Sequence, residues 1–274
     1  MIELPEAIIT GRQVKQTLTG RMVTDLFGAT HLHKFTFFCG TPQEYRDMLV
    51  GRSVVSAEGR GIFVDICFEG GVYLSIHDGI NMRYGHPGDA VPAKYQMLIT
   101  FDDESFISFT TSMYGGIYVF RDVLDNKYRT LSMQSVYPLG EGFDEEYFAR
   151  LLAAEKKNIS VKALLATEQR IPGLGNGVLQ DILFNASIHP KRKIFSLSEA
   201  EKKALFNSVK ATLQAMVDGG GRDTESDFFD NRGGYKTILS KNSYNFPCPR
   251  CGGAIIKEAY MGGSVYYCPD CQKL

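Results

Sequence analysis

Short apolar runs at strand spacing fill the first half of the chain. Ile62–Phe68, Val72–Ile76, Met97–Phe101 and Phe106–Phe109 are rich in β-branched and aromatic residues. Gly70-Gly71 and Asp102-Asp103-Glu104 punctuate them as turns, and short strands so spaced predict an antiparallel sandwich or barrel. Gly11–Leu18 and Pro42–Leu49 are the only substantial helices expected before residue 140. Near Gly140-Glu141-Gly142-Phe143 the period changes. Asp144–Lys157, with Tyr147, Phe148, Leu151 and Leu152 on one face, reads as a helix. Ser160–Glu168, Asn176–Ala186 and Ser198–Asp218 follow as three more, the last opened by the capping box Ser198–Glu201. Gly219-Gly220-Gly221 stops it. The polar, glycine-rich stretch from there to Tyr235 has no period and reads as a long functional loop.

The chain closes on Cys248-Pro249-Arg250-Cys251 and Cys268-Pro269-Asp270-Cys271, separated by 16 residues. Two C-x2-C pairs around a Gly-, Tyr- and Val-rich spacer have the spacing of a four-thiolate zinc site. The spacer predicts two strands, Ile255–Lys257 and Ser264–Tyr267, turned by Met261-Gly262-Gly263. So short a module cannot bury a core, and metal ligation would supply its folding free energy. Two disulfides or four ordinary buried thiols are the competing readings, and neither needs paired x2 spacing. With four cysteine ligands one zinc per chain is structural, so chemistry lies elsewhere. Cys39 and Cys67 read as buried, unreactive thiols.

Length, 44% hydrophobic and 22% charged residues suit two globular domains plus this small module. No apolar run reaches a membrane span and no secretory leader is visible, which points to a cytoplasmic protein with no membrane partner. The net charge of −1 hides an asymmetry. Residues 1–155 hold 13 Lys and Arg against 20 Asp and Glu, whereas residues 156–260 hold 16 against 10. A basic half permits a one-sided phosphate-binding face.

Ile171-Pro172-Gly173-Leu174-Gly175-Asn176-Gly177 joins two predicted helices by a glycine-rich double turn. Free N–H groups at the second helix's start bind phosphate without base specificity, with Asn176 capping the helix and reaching a phosphate. A tight interhelical connection with an ordinary cap is the plainer alternative.

This motif, followed by Asp181–Phe184 and Ile188-His189-Pro190, resembles the helix–two-turns–helix of the formamidopyrimidine-DNA glycosylase/endonuclease VIII family. The terminal cysteine hairpin resembles that family's zinc finger, and Met1-Ile2-Glu3-Leu4-Pro5-Glu6 its N-terminal signature. The resemblance implies an α+β fold: a β-sandwich flanked by helices at 1–138, a helical DNA-binding domain at 139–242 and a zinc finger at 243–274. It implies a monomer that takes double-stranded DNA with a damaged or abasic nucleotide into the cleft, and sits on the nucleoid when bound. Family members excise oxidised bases and cleave the abasic strand. An N-terminal amine attacks C1′ of the flipped-out nucleotide, and the following glutamate donates a proton to the sugar.

The catalytic set implied is Met1, Ile2, Glu3 and Glu6. Most members have proline where this chain has Ile2. Initiator-Met removal generally requires a small second residue and Ile is large; with Met1 kept the Ile2 nitrogen is an amide and the α-amine is on Met1, whereas an exposed Ile2 amine would itself be competent to form an imine. The phosphate-contacting lysine of the β-domain aligns with Arg60, which keeps the charge. The residues that fill the void of a flipped base align with Ile80, Ser112 and Tyr114, with Ile80 or Met82 as the apolar wedge and the family's arginine absent. The phosphate-clamping arginine of the hairpin aligns with Gly263, a loss worth about 1.5–3 kcal/mol of charge-assisted contact. Lys162 opens the motif's first helix, where it reaches phosphate or lesion, or is simply solvated. The 219–235 loop covers the extruded base, with Arg222, Asp223 and Thr224 to read its edge. Cys67 and His77 lie near the cleft in packing or hydrogen-bonding roles.

Two function classes remain open. One is a base-excision glycosylase with altered lyase chemistry; the other is a catalytically degenerate protein that binds damaged or abasic DNA.

Overall fold

The computed structural model describes all 274 residues. Strands β1 (Val23–Gly28), β2 (Thr36–Phe38), β3 (Val54–Arg60), β4 (Phe63–Phe68), β5 (Val72–His77), β6 (Ile80–Gly85), β7 (Met97–Phe101), β8 (Phe106–Thr111) and β9 (Gly115–Arg121) form two sheets. Their orders are β1-β7-β8-β6 and β2-β9-β5-β4-β3. Both sheets send alternate side chains into one core, Met97, Ile99, Ile107 and Phe109 from the first and Val64, Ile66, Leu74 and Ile117 from the second. That is a β-sandwich.

Five of these strands escape sequence reading. In β1, β3 and β6 polar residues interrupt the apolar run, β2 is three residues long, and β9 opens on Gly115-Gly116, which reads as a turn. The second glycine is required sterically, because a Cβ at Gly116 would collide with Tyr118 and sit 2.5 Å from His77 Nε2.

Helix α1 (Leu4–Leu18) begins seven residues before the helix expected at Gly11. Its apolar residues serve two cores, which blurs a one-faced pattern. Ala7, Val14 and Leu18 point into the sandwich, while Leu4 and Ile8 join the helical core. It lies backbone-to-backbone on β3, since a Cβ at Gly59 would strike the Ala7 carbonyl. Helix α2 (Pro42–Leu49) stands as expected, capped by Thr41. Helix α3 (Lys127–Gln134) contradicts the expectation of only two helices before residue 140. It buries only Ser132, so it has no apolar period, and it rests on the Asn126 cap.

The second half holds α4 (Glu145–Ala153), α5 (Val161–Ala166), α6 (Asn176–Asn185) and α7 (Glu199–Asp218) around a core that includes Phe148, Leu164, Ile182 and Leu213. Both halves of the predicted Ser198–Glu201 capping box are made. The terminal hairpin pairs β10 (Ile256–Tyr260) with β11 (Gly263–Tyr267), and its Tyr266, Cys248 and Cys268 pack on Phe184 and Leu239. No helix is long and apolar enough to cross a membrane.

Residues 219–235 are no loose lid. Bridges Arg222–Tyr235 and Ser226–Arg232 fold them into a ribbon. Phe228 is fully buried in the sandwich core, its carbonyl accepts from the Tyr84 N–H at 2.9 Å, and the Gln13 side chain clasps Asp227 and the Phe228 N–H. The ribbon thereby ties the helical half to the β half.

Candidate active site and nucleic-acid interface

The double turn between α5 and α6 presents free amides, as its glycines predict, but a carboxylate of this chain takes them. Glu3 is the extended residue just before α1, and Leu4 anchors it by donating its N–H to the Gly173 carbonyl at 2.8 Å. The Glu3 carboxylate then accepts from the Gly177 N–H at 2.8 Å and the Val178 N–H at 2.7 Å. A helix N-terminus favours an anion there. The glycines make room for it: a Cβ at Gly175 would lie 2.5 Å from Glu3 Oε1, and one at Gly173, where φ is +91°, would lie 2.6 Å from Leu4 Cβ.

Arg222 closes the site from the ribbon. Its guanidinium donates to Glu6 at 2.9 and 2.7 Å and lies 3.3 Å from Glu3 Oε2, with all three side chains buried. Burial raises the Glu3 pKa and Glu6 adds to it, against the Arg222 charge and the two amides. One guanidinium and one helix N-terminus therefore serve two carboxylates. The ribbon's Arg222 is buried structure, so the expectation that it reads a base edge is corrected. Asp223 is likewise occupied, accepting from the Thr237 N–H at 3.2 Å and hydroxyl at 2.9 Å. The Thr224 carbonyl accepts from Arg232. No sequence signal marked Arg222 as the partner of Glu3 and Glu6.

The head of the chain lies beside this cluster. The Ile2 side chain is in the sandwich core and its N–H donates to the Asp78 carbonyl at 2.7 Å. The Met1 α-amine is exposed and forms an ion pair with Glu225 Oε2 at 2.6 Å. Met1, Ile2, Glu6, Asn81, Arg83 and Glu225 share one surface depression.

Several expected contacts are placed otherwise. Asn176 does not cap α6; Gly175 is the N-cap, without a side-chain bond, because Glu3 fills that role. The Asn176 amide nitrogen instead donates to the Ser264 carbonyl of the hairpin at 2.7 Å, leaving its oxygen buried without a partner. Gln180 reinforces the join, donating to Ser264 at 3.1 Å and accepting from the Tyr266 N–H at 3.0 Å. Lys162 is not solvated. It is buried, donates to the Tyr260 carbonyl and lies over that ring, and burial lowers its pKa.

Arg60 bonds the carbonyls of Ser132 at 2.8 Å and Ser135 at 3.2 Å rather than standing free for phosphate. Ile80 and Met82 are core residues at 1% and 2% exposure, so neither is a surface wedge. The exposed apolar groups in that region are Met113 and Tyr114, while Ser112 accepts from Asn81 Nδ2 at 2.7 Å. Gly263 faces Asn176, 3.2 Å from a would-be Cβ to its amide nitrogen, so a longer side chain there requires Asn176 to shift.

His77 is hydrogen-bonded at both ring nitrogens, to Asp78 at 2.8 Å and Tyr118 at 3.3 Å. Cys67 is half-buried in β4. Cys39 is exposed, contrary to expectation, with its sulfur 3.3 Å from the Tyr45 hydroxyl.

Cys248, Cys251, Cys268 and Cys271 converge, all four sulfurs within 4.8 Å of one another. The Cys248–Cys271 and Cys251–Cys268 separations are 3.8 and 3.5 Å. Disulfide sulfurs sit at about 2.05 Å. Four sulfurs each about 2.3 Å from one ion stand roughly 3.8 Å apart at the corners of a tetrahedron. The donor set therefore fits a tetrahedral thiolate site.

A β-sandwich joined to a helix–two-turns–helix core and closed by a four-cysteine hairpin defines the class: an α+β protein of the zinc-finger-bearing helix–two-turns–helix type. Residues 135–227 match the family model described as the formamidopyrimidine-DNA glycosylase H2TH domain. A formamidopyrimidine-DNA glycosylase of Roseiflexus sp. (strain RS-1) is 30% identical over 242 residues, 85% of this chain and 86% of the relative. One from Neisseria meningitidis serogroup A is 29% identical over the full length of both. The chain belongs to the formamidopyrimidine-DNA glycosylase family. A Lactococcus lactis Fpg in complex with DNA containing an abasic site superposes with a TM-score of 0.85 at 21% identity, covering 99% and 100% of the two chains. The MutM (Fpg) protein of Thermus thermophilus gives 0.81 at 23%, covering 98% of each, and both likenesses establish the fold.

Proposed function

We propose that this protein is a DNA glycosylase with abasic-site lyase activity that acts on oxidised bases in double-stranded DNA. The observation that carries the reading is the Met1 α-amine, exposed in a depression between the two halves and beside the buried Glu3–Arg222–Glu6 cluster. A primary amine forms an imine at C1′. Glu3, whose burial favours its protonated form, is the proton donor to the sugar, and Glu6 holds Arg222 against it. The cysteine site would hold one zinc ion, which supplies folding free energy to the hairpin and takes no part in the reaction.

We divide the chain at about residues 138 and 242, with α1 and Phe228 crossing the first boundary. Asn176, Lys162 and Arg60 support DNA by holding the hairpin and α3 in place, Ser112 and Tyr114 face the DNA, and Gly263 leaves the room that Asn176 occupies beneath the hairpin. Exposed Met113 and Tyr114, rather than Ile80, are the groups available to enter the stack.

One observation favours the binder reading. The Ile2 nitrogen is an amide already donating to Asp78, so it cannot be a nucleophile while Met1 is attached. Borohydride trapping on a duplex with one abasic site separates the two, with intact-mass measurement of the untagged protein to establish its first residue. A covalent adduct mapping to the N-terminal peptide supports the lyase. Salt-dependent binding with neither adduct nor strand cleavage would establish the binder instead.

A further inference from the structure

The Met1 ammonium needs a proton acceptor before it can attack carbon, and Glu3, the proton donor to the sugar, is not placed to be that acceptor. Both Glu3 oxygens are committed to the Gly177 and Val178 amides and to Arg222. Glu6 is held by Arg222, and Arg83, the cation facing the same depression from β6, is paired with Asp230 at 3.0 Å. The remaining acid is Glu225. Its carboxylate touches the α-amine at 2.6 Å and makes no other side-chain hydrogen bond. The ribbon fixes its backbone from both sides, with its N–H donating to the Arg222 carbonyl at 3.1 Å and its carbonyl accepting from the Gly233 N–H at 3.4 Å.

We propose that Glu225 positions the Met1 α-amine and accepts its proton. The proposal rests on the reading of that amine as the nucleophile. With an abasic aldehyde the step balances. The ammonium gives one proton to Glu225, and the freed nitrogen pair forms the N–C1′ bond as the carbonyl π pair moves to oxygen. That oxygen takes the proton back from Glu225 and a second from nitrogen, and leaves as water. A protonated imine remains. The Gly219-Gly220-Gly221 turn and the buried Arg222 thus serve to carry Glu225 across from the helical half to the head of the chain.

The test uses untagged full-length protein with Glu225→Gln and Glu225→Asp, and two aldehydes under borohydride. One is the abasic duplex; the other is glyceraldehyde, with coupling at Met1 read by peptide mass. Glu225→Gln should slow both by about a hundredfold at neutral pH, the scale of a lost general base. Glu225→Asp should recover most of the rate, with melting temperature and duplex affinity unchanged in both variants. Glyceraldehyde coupling at Met1 within about twofold of wild type in Glu225→Gln would overturn the assignment. Coupling to Met1 that depends on Glu225, without any DNA adduct, would overturn the nucleophile reading and leave the assignment standing.

Discussion

Arg222 and Glu6 are 216 residues apart in sequence and joined by three buried hydrogen bonds, two from the guanidinium at 2.9 and 2.7 Å and one from the Arg222 N–H at 3.3 Å. The same guanidinium reaches Glu3 at 3.3 Å, so one buried cation from the ribbon fixes both acids of the N-terminal segment. Its charge is permanent, held by Glu3 and Glu6 against burial.

Removing that cation should be severe. Arg222→Met leaves two buried carboxylates without a counter-charge, and truncating one side of a buried pair costs about 3–5 kcal/mol. Urea unfolding should show a loss of this size. Arg222→Lys should recover only part of it, because an ammonium cannot reproduce the two-pronged grip on Glu6.

Gly177→Ala should act through the same cluster. The added methyl would run into the Arg222 guanidinium and lie 3.0 Å from Glu3 Oε1. Overpacking of this kind costs about 1–3 kcal/mol. Gly252, at φ +76° with nothing within 4 Å, is the control. Its alanine variant should show only backbone strain, about 1 kcal/mol, and abasic-site trapping equal to wild type. Equal stability of the two variants would show that Gly177 is not held by the cluster.

Metal removal should release α6 as well as the hairpin. Asn176 and Gln180 both donate to Ser264, so loss of the β10–β11 register strips α6 of its outer partners. A chelator with a colorimetric readout should recover about one zinc per chain, the stoichiometry of a four-thiolate site. Duplex affinity should fall with the metal. Unchanged affinity after complete removal would separate the hairpin from DNA binding.

Asp181 should impose a measurable pH dependence. It accepts from the Ile238 and Leu239 N–H groups at 2.9 and 2.8 Å, yet burial pushes its pKa up to about 6 from an ordinary 3.8. Between those values the folded state binds more protons than the unfolded one. The site's contribution is therefore fully present below about pH 4 and lost as pH rises through about 6, an effect of about 3 kcal/mol. The stability advantage of wild type over Asp181→Asn should shrink by up to that amount from pH 4 to 7, and the carboxyl carbon should titrate near pH 6 by NMR.

Local pattern revealed what local physics builds. The C-x2-C pairs specify converging thiolates because each pair sits on its own turn. The Ser198–Glu201 capping box and the Gly173–Gly177 double turn formed where the residues alone placed them. The Met1–Glu6 stretch was recognisable as a signature, though not as the start of α1, because its apolar side chains divide between two cores.

What fills the end of α6 could not be read locally. The glycines announce free amides, but whether an outside phosphate, Asn176 or Glu3 takes them depends on where a chain end 174 residues away arrives. The same holds for Arg222, polar in sequence and buried in the fold, and for Ile80, a plausible wedge until the opposite sheet covers it. Sequence by itself determined four of the sandwich strands, most of the helices, the four converging cysteines and the family, since these depend on residue spacing within a few turns of chain. Tertiary structure alone decided which charges meet, because burial pairs groups by position in space, and only there does a guanidinium find its two carboxylates and an α-amine its acid.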